Sequence, residues 1–319
     1  MTGRVVLVDT DTGVDDALAL LTVLATQETD LVGVGAVFGN CAVEQAAANA
    51  LVVLDTMGRR DIPVCIGRPR PGPPPEAPSP HGMDGLGDRG LRPPRGLHPV
   101  PESAVDQILR VGRQRPGEVD LLCLGPLTNI AAALEQDPLV LTTFRSVTIM
   151  GGMGPRSRME TEASAQPMFL TKGDTNTNHD PAATAATAQA PGPVTWVGMN
   201  ATGRLRMPWS ELAALAEQSP VAAFVRDITA NYHEYCTTTY GSDVPIYTSH
   251  DSVAASVMLD PNVVLSSVEA TGQIHHDGAR SSLWGDDSRP EHGHRFVVDL
   301  DYTAIRRKIM AALGADSDR

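Results

Sequence analysis

Short apolar runs alternate along the first half of the chain with stretches whose apolar residues recur at helical spacing. Val5–Val8 is a continuous apolar run, as expected of a strand buried on both faces. Asp15–Ala25 carries the helical pattern, Leu31–Phe38 is a second buried strand, Val43–Met57 a second helix and Ile62–Ile66 a third strand. This rhythm predicts a parallel sheet with right-handed crossovers. It resumes with a helix over Glu102–Arg113, a strand over Val119–Leu124, a helix from Leu127 and a strand over Val147–Met150. A helix over Pro181–Ala190 and a strand over Val194–Val197 follow. The last third predicts helices over Trp209–Gln218 and Val221–Tyr235, short strands including Phe296–Leu300, and a final helix over Tyr302–Leu313. The expected fold is α/β: one large domain over residues 1–319, with a mostly parallel, open, Rossmann-like sheet flanked by helices.

Two stretches break the pattern, at about 67–101 and 153–178. Eleven of the 25 prolines lie from Pro69 to Pro101. An irregular segment of that length inside a compact domain is either functional or disordered. Its prolines oppose regular structure and it carries His81, so residues 67–99 are expected to include a mobile lid. In an open parallel sheet, ligands bind at the carboxyl ends of the strands. The polar and glycine-rich positions fall there: Asp9 and Asp11 after the first strand, Gly39 and Asn40 after the second, His81 after the third, Leu124 and Gly125, then Met150–Gly152.

Composition narrows the function. A chain of 319 residues with 42% hydrophobic content can bury a large core. No window reaches eighteen consecutive apolar residues, so no membrane span is expected. No signal-peptide pattern precedes the first strand, which makes the cytoplasm the expected location. With 25 basic against 38 acidic residues the net charge is −13, and the arginines of 68–95 sit in a proline-rich loop. Nucleic acid is therefore not an expected partner. The four cysteines, Cys41, Cys65, Cys123 and Cys236, form no CxxC motif and read as reduced thiols.

"VVLVDTDTGVDDALALL" places Asp9, Asp11, Asp15 and Asp16 within eight residues. Helix N-terminal acids and an N-cap account for some of these carboxylates. Four together call for a hard divalent cation, since calcium takes six to eight oxygen ligands. Gly13 permits the tight turn that would bring them inward.

"DTDTGVDDALAL" resembles the signature of the nucleoside hydrolases, the inosine-uridine preferring nucleoside N-ribohydrolases, with Thr12 where the usual form has proline. "VFGN" ending at Asn40, "HGMDGLG" from His81, "LGPLTNIA" from Leu124, "MGG" from Met150 and "HDSVA" from His250 follow in that family's order. The resemblance spans roughly Val5 to Ala255. It implies Ca2+-dependent hydrolysis of the N-glycosidic bond of purine or pyrimidine ribonucleosides, and commonly a homodimer or homotetramer. It further implies Asp11, Asp16, Asp251 and the Leu124 carbonyl as calcium ligands, and Asp15 and Asn40 as ribose contacts, with Met150 beside the sugar and Asp9 supporting the loop. Asp11 would be the general base and His250 the acid for the leaving base, with His81 a second candidate near the base. A histidine at 250 points to the branch that accepts pyrimidines, alone or with purines.

Where the family has Glu-x-Asn before Asp-Pro, this chain reads "GDTNTNHDP". That offers Asp174 and Asn176 for the 5′-hydroxyl, with Asn178 as an alternative partner and altered 5′ recognition as a consequence. Tyr232, Tyr235, Tyr240 and Tyr247 precede His250 and could stack on the base. Two rival readings are a haloacid-dehalogenase-type Mg2+ phosphatase, with Asp9 as nucleophile and Lys172 near its later motifs, and a nucleoside-binding protein without turnover.

Overall fold

The computed structural model describes residues 3–71, 79–158, 173–278, 280–288 and 293–315. Ten strands form one sheet: β1 (Arg4–Thr10), β2 (Thr29–Ala36), β3 (Val64–Ile66), β4 (Val100–Ser103), β5 (Val119–Cys123), β6 (Ser146–Met150), β7 (Val194–Val197), β10 (Val264–Asp277), β11 (Arg280–Asp286) and β12 (His294–Leu300). The other two, β8 (Met207–Pro208) and β9 (Ile246–Tyr247), make a separate short ladder. The sheet order is β11-β10-β12-β7-β6-β5-β1-β2-β3-β4. Eight neighbouring strands run parallel, and β10 is antiparallel to both β11 and β12. The expected mostly parallel, open α/β sheet is therefore the fold.

The chain starts in the middle of the sheet. From β1 it builds outward to β4 on one side, then returns to β5 and builds the other way. The carboxyl ends of β1 and β5 thus flank the point where the strand order reverses, the place where such sheets open a crevice.

Both faces of β1 are buried, which explains its unbroken apolar run. Val6 and Val8 pack into the core with Leu18 and Leu21 of α1 (Val14–Ala25). Leu7 points the other way, into a second core with Ile108 of the helix Ala104–Gln114 and Ile130 of the helix Thr128–Gln136. The helices His250–Leu259 and Tyr302–Ala312 join the first face, and Pro181–Gln189 joins the second. Among the described residues, no helix is long and apolar enough to cross a membrane.

Several elements differ from the sequence reading. Val221–Tyr235 is not one helix but parts of two, Pro220–Ile228 and Ala230–Thr239. The break falls at Thr229, whose hydroxyl donates back to the Val225 and Arg226 carbonyls and so competes with helix continuation. The helix His250–Leu259 went unrecognised because every residue after His250 is buried, leaving no polar face to mark its period. β10 is 14 residues long rather than short. The irregular stretch 67–101 ends in the first two residues of β4, and 153–178 contains a 3₁₀ turn at Arg156–Arg158 and most of a five-residue helix, Thr175–His179. Parts of both stretches, 72–78 and 159–172, lie outside the described residues, as does Lys172.

Candidate active site

A cavity of about 280 Å³ opens at the carboxyl ends of the central strands. Asp11, Asp15 and Asp251 line its floor, and Asp16 lies fully buried behind them. Asp11 accepts a hydrogen bond from the Asn40 backbone N–H at 2.7 Å. Asp16 accepts from the Thr10 hydroxyl, from the Gly13 N–H at 2.9 Å and from the Asn40 side-chain amide at 3.1 Å. The Asn40 turn after β2 and the aspartate loop after β1 are therefore fastened together. Gly39 makes this possible, since a Cβ there would collide with the Asp11 carboxylate. Thr12 has φ 23°, a conformation closed to proline, whose ring holds φ near about −65°.

Burial pushes all four floor carboxyls upward, and repulsion from a neighbouring carboxylate adds to it for Asp11, Asp16 and Asp251. For Asp11 and Asp251 burial is the larger cause, followed by a neighbouring carboxylate, Asp16 and Asp15 respectively. Burial raises Asp15 to about 6, and burial plus Asp15 raises Asp16. Such a cluster is stable only with added protons or a cation. Asp15, Asp16 and Asp251 can offer ligand oxygens all within 4.8 Å of one another. This triad includes Asp15 in place of the expected Asp11. The Leu124 carbonyl borders the same cavity and accepts the Asn176 amide at 2.6 Å. An all-oxygen donor set suits a hard divalent cation.

His250 begins its helix behind the N-cap Ser249, whose hydroxyl also reaches the Asp15 carbonyl at 3.2 Å. The imidazole sits between two hydroxyls, with Thr202 Oγ1 2.8 Å from Nδ1 and Tyr240 OH 3.2 Å from Nε2. Burial lowers its pKa to about 4. Arg206 in turn lies over the Tyr240 ring, 4.7 Å from its centroid. Neither Thr202 nor Arg206 carries a sequence signal linking it to His250, since each is brought there by the fold after β7.

His81 lines the cavity with Ser79 and Pro80. Its Nδ1 accepts the Val14 N–H at 3.1 Å and lies 3.7 Å from Asp15, and its ring packs on Tyr232 at 5.0 Å. Burial holds it neutral, with a pKa near 4. Tyr232, Tyr235 and Tyr240 line the cavity. Tyr247 does not, being buried edge-on against Trp209.

Asp174 and Asn176 form another wall with Met150 and His179. Asp174 caps the Thr175–His179 helix. Its carboxylate accepts from the Gly152 N–H at 2.6 Å, the Asn176 N–H at 3.1 Å and the Thr177 hydroxyl. Its oxygens are thus already engaged by local donors. Asn176 also donates to the Met150 carbonyl at 3.2 Å. Asn178 faces away and accepts the Ser281 N–H of β11 at 3.0 Å. His179, which the sequence reading passed over, packs near Phe38 with its ring centroid 6.2 Å away. Asp9 does not line the cavity; its side chain is bonded to Asn129. The nucleophile of the phosphatase reading is therefore absent from the site.

The family model described as inosine-uridine preferring nucleoside hydrolase matches residues 6–307. The chain is 30% identical over 260 residues to a probable uridine nucleosidase 2 of Oryza sativa subsp. japonica, covering 80% of this chain and 74% of that protein. It is 28% identical over 323 residues to a non-specific ribonucleoside hydrolase of Escherichia coli O9:H4 (strain HS), covering 98% and 99%. Its structure superimposes on that of a purine-preferring ribonucleoside hydrolase from Gardnerella vaginalis with a TM-score of 0.84 at 25% identity, covering 97% and 98%.

Proposed function

Because the chain belongs to the inosine-uridine preferring nucleoside hydrolase family, it is an enzyme that cleaves ribonucleosides to free base and ribose, and we propose that it does so with calcium on the aspartate floor and His250 facing the leaving base. The family is metal-dependent. The observation that carries the metal reading is the convergence of four buried carboxyls at the reversal point of the sheet, three of them able to offer oxygens within 4.8 Å of one another. Asp11, Asp16, Asp251 and the Leu124 carbonyl would hold the ion, with Asp15 close enough to share it or to bind a ribose hydroxyl. When bound, the cation would lower the pKa of a coordinated water and anchor vicinal hydroxyls.

The chain's own residues supply the rest. Breaking the C1′–N bond builds positive charge on the ribose ring and negative charge on the base. The floor carboxylates oppose the first. Asp11 accepts a proton from the attacking water as general base. His250, held by Thr202 and Tyr240 and lowered by burial to about 4, passes a proton to the departing base as the negative charge growing on that base raises the imidazole's own proton affinity. Asn40 and Asp15 bind ribose hydroxyls, and His81 closes beside Tyr232 near the base. Both Asp174 oxygens are engaged, and the Asn176 amide is held by the Leu124 and Met150 carbonyls, so the Asn176 side-chain oxygen is the group offered to the sugar's 5′-hydroxyl. The tyrosines give the base a surface on which purine or pyrimidine rings stack. A homodimer or homotetramer rests on the family resemblance alone.

The test is a nucleoside panel in which free base and reducing sugar are quantified together. Equimolar base and ribose from uridine and inosine, with no hydrolysis of p-nitrophenyl phosphate, is the expected result. Tight nucleoside binding with no ribose released would contradict it.

A further inference from the structure

Asn129 belongs to the "LGPLTNIA" motif but lies outside the cavity, and it is fully buried. Its side-chain amide donates to Asp9 Oδ1 at 2.8 Å and to the Ala36 carbonyl at 3.0 Å, and its oxygen accepts the Arg68 N–H at 2.8 Å. One side chain thus ties together the ends of β1 and β2 and the chain just after β3. Asp9 adds a second tie, because its backbone carbonyl accepts the Leu124 N–H at 2.8 Å. Two residues beyond Asp9 lies Asp11, and Leu124 carries the carbonyl that borders the floor. The Asp9 joint therefore sets the spacing between two backbones that each bring an oxygen to the same place.

The surrounding glycines show that room is kept for this pair. A Cβ on Gly35 would come within 2.7 Å of Asp9 Oδ1. A Cβ on Gly67 would collide with the Asn129 amide and the Ala36 carbonyl. Any side chain at either position would push the Asp9–Asn129 pair out of place. Asp9 and Asn129 are both buried, so the bond between them is shielded from competing water.

We propose that Asn129 and Asp9 act together as positioning residues for the metal site, locking the aspartate loop to the Leu124 loop and both to the base of the segment that carries His81. This rests on the reading of the floor as a divalent-cation site. Partners one step behind metal ligands typically change affinity or activity by roughly 10- to 100-fold.

Calcium affinity by calorimetry, kcat and KM on uridine, and the unfolding midpoint are measured for four proteins: wild type, Asp9→Asn, Asn129→Asp and the double exchange. Asn129→Asp keeps the shape but turns the donor facing Asp9 and Ala36 into an acceptor. It should weaken calcium binding by roughly 10- to 100-fold and lower kcat more than it raises KM. Asp9→Asn keeps an acceptor oxygen for the Asn129 amide and should stay within about threefold of wild type, taking tenfold as the scale of a real loss. The double exchange restores a donor facing an acceptor between positions 9 and 129 but leaves the Ala36 carbonyl without its donor, so it should recover part of the loss, the non-additivity expected of two groups in contact. Calcium affinity and kcat unchanged in Asn129→Asp, with only the midpoint lowered, would overturn the proposal and leave a purely structural pair. Additive losses in the double exchange would also overturn it. A wild-type protein without calcium affinity would instead overturn the cation reading, and this proposal with it.

Discussion

Asp11 and Asn40 on the cavity floor are presented from the ends of adjacent parallel strands, whereas Asp174 and Asn176 on its wall come from the N-cap and first turn of a five-residue helix. The floor residues bond across strands: Asp11 to the Asn40 N–H, Asp16 to the Asn40 amide. The Asp174 carboxylate instead bonds to Gly152 and within its own turn. The floor is set by the strands of the sheet, and burial penalises its charges until a cation or protons relieve them. The wall meets the sheet at its rim, through Asp174 to Gly152 and Asn176 to the Leu124 and Met150 carbonyls, while the rest of its short helix can change without disturbing the strands. Chemistry common to a family belongs on the first kind of support, and recognition of a particular substrate on the second.

Mutations on the two supports should separate sharply. Asp16→Asn or Asp11→Asn should lower kcat/KM for uridine by about 10³-fold or more and weaken calcium binding, since each removes charge from the floor. Asp174→Asn, which still caps its helix but loosens the bonds that hold Asn176 in the wall, should change KM more than kcat and by about tenfold at most, since it weakens only binding shared by ground and transition states. Comparable losses from floor and wall would break the contrast.

His250 sharpens it further. His250→Ala should depress kcat by about 10²-fold or more on inosine and uridine. It should have little effect on p-nitrophenyl riboside, whose leaving group needs no proton. Equal losses on both substrates would make His250 a support for Asp251 instead. Tyr240→Phe removes the hydroxyl at Nε2 but keeps the ring under Arg206. Its loss on uridine should be smaller than that of His250→Ala, at about tenfold, the lower part of the range for a general acid. A Tyr240→Phe enzyme as impaired as His250→Ala would make the phenol itself the essential group.

The floor was legible in the sequence because four aspartates in eight residues have few structural explanations, and because strand ends bring distant motifs together predictably. The parallel sheet was legible for a related reason: strands buried on both faces read as unbroken apolar runs. What stayed hidden depends on three-dimensional packing. The His250–Leu259 helix is buried nearly all round, so its period is silent. Thr202 meets His250 across 48 positions of chain, and nothing local marks that contact. The engagement of Asp174 by Gly152 could not be read from "GDTNTN", because an N-cap and a ribose ligand use the same carboxylate.

The smallest effect concerns pH and the wall. Burial, with Arg70 nearby, lowers the pKa of His179 to about 4, and burial lowers His294, which accepts the Trp196 N–H. Each protonates more readily once unfolded. The stability that His179 contributes is therefore fully present above about pH 6.5, the unfolded value, and is lost as pH falls toward 4; His294 acts in the same direction. His179→Asn should flatten the fall of the unfolding midpoint between those values by a fraction of its slope while leaving calcium affinity unchanged. An unaltered slope would show that His179 titrates alike in both states.

The central claim is that the buried aspartate floor works only with a divalent cation. The most direct measurement is ribose release from uridine by chelator-stripped enzyme, before and after calcium is returned in stoichiometric amount. The account predicts activity lost on stripping, restored by calcium in proportion to sites filled, and not restored in Asp16→Asn. Full activity in stripped enzyme, verified metal-free by elemental analysis, would contradict it.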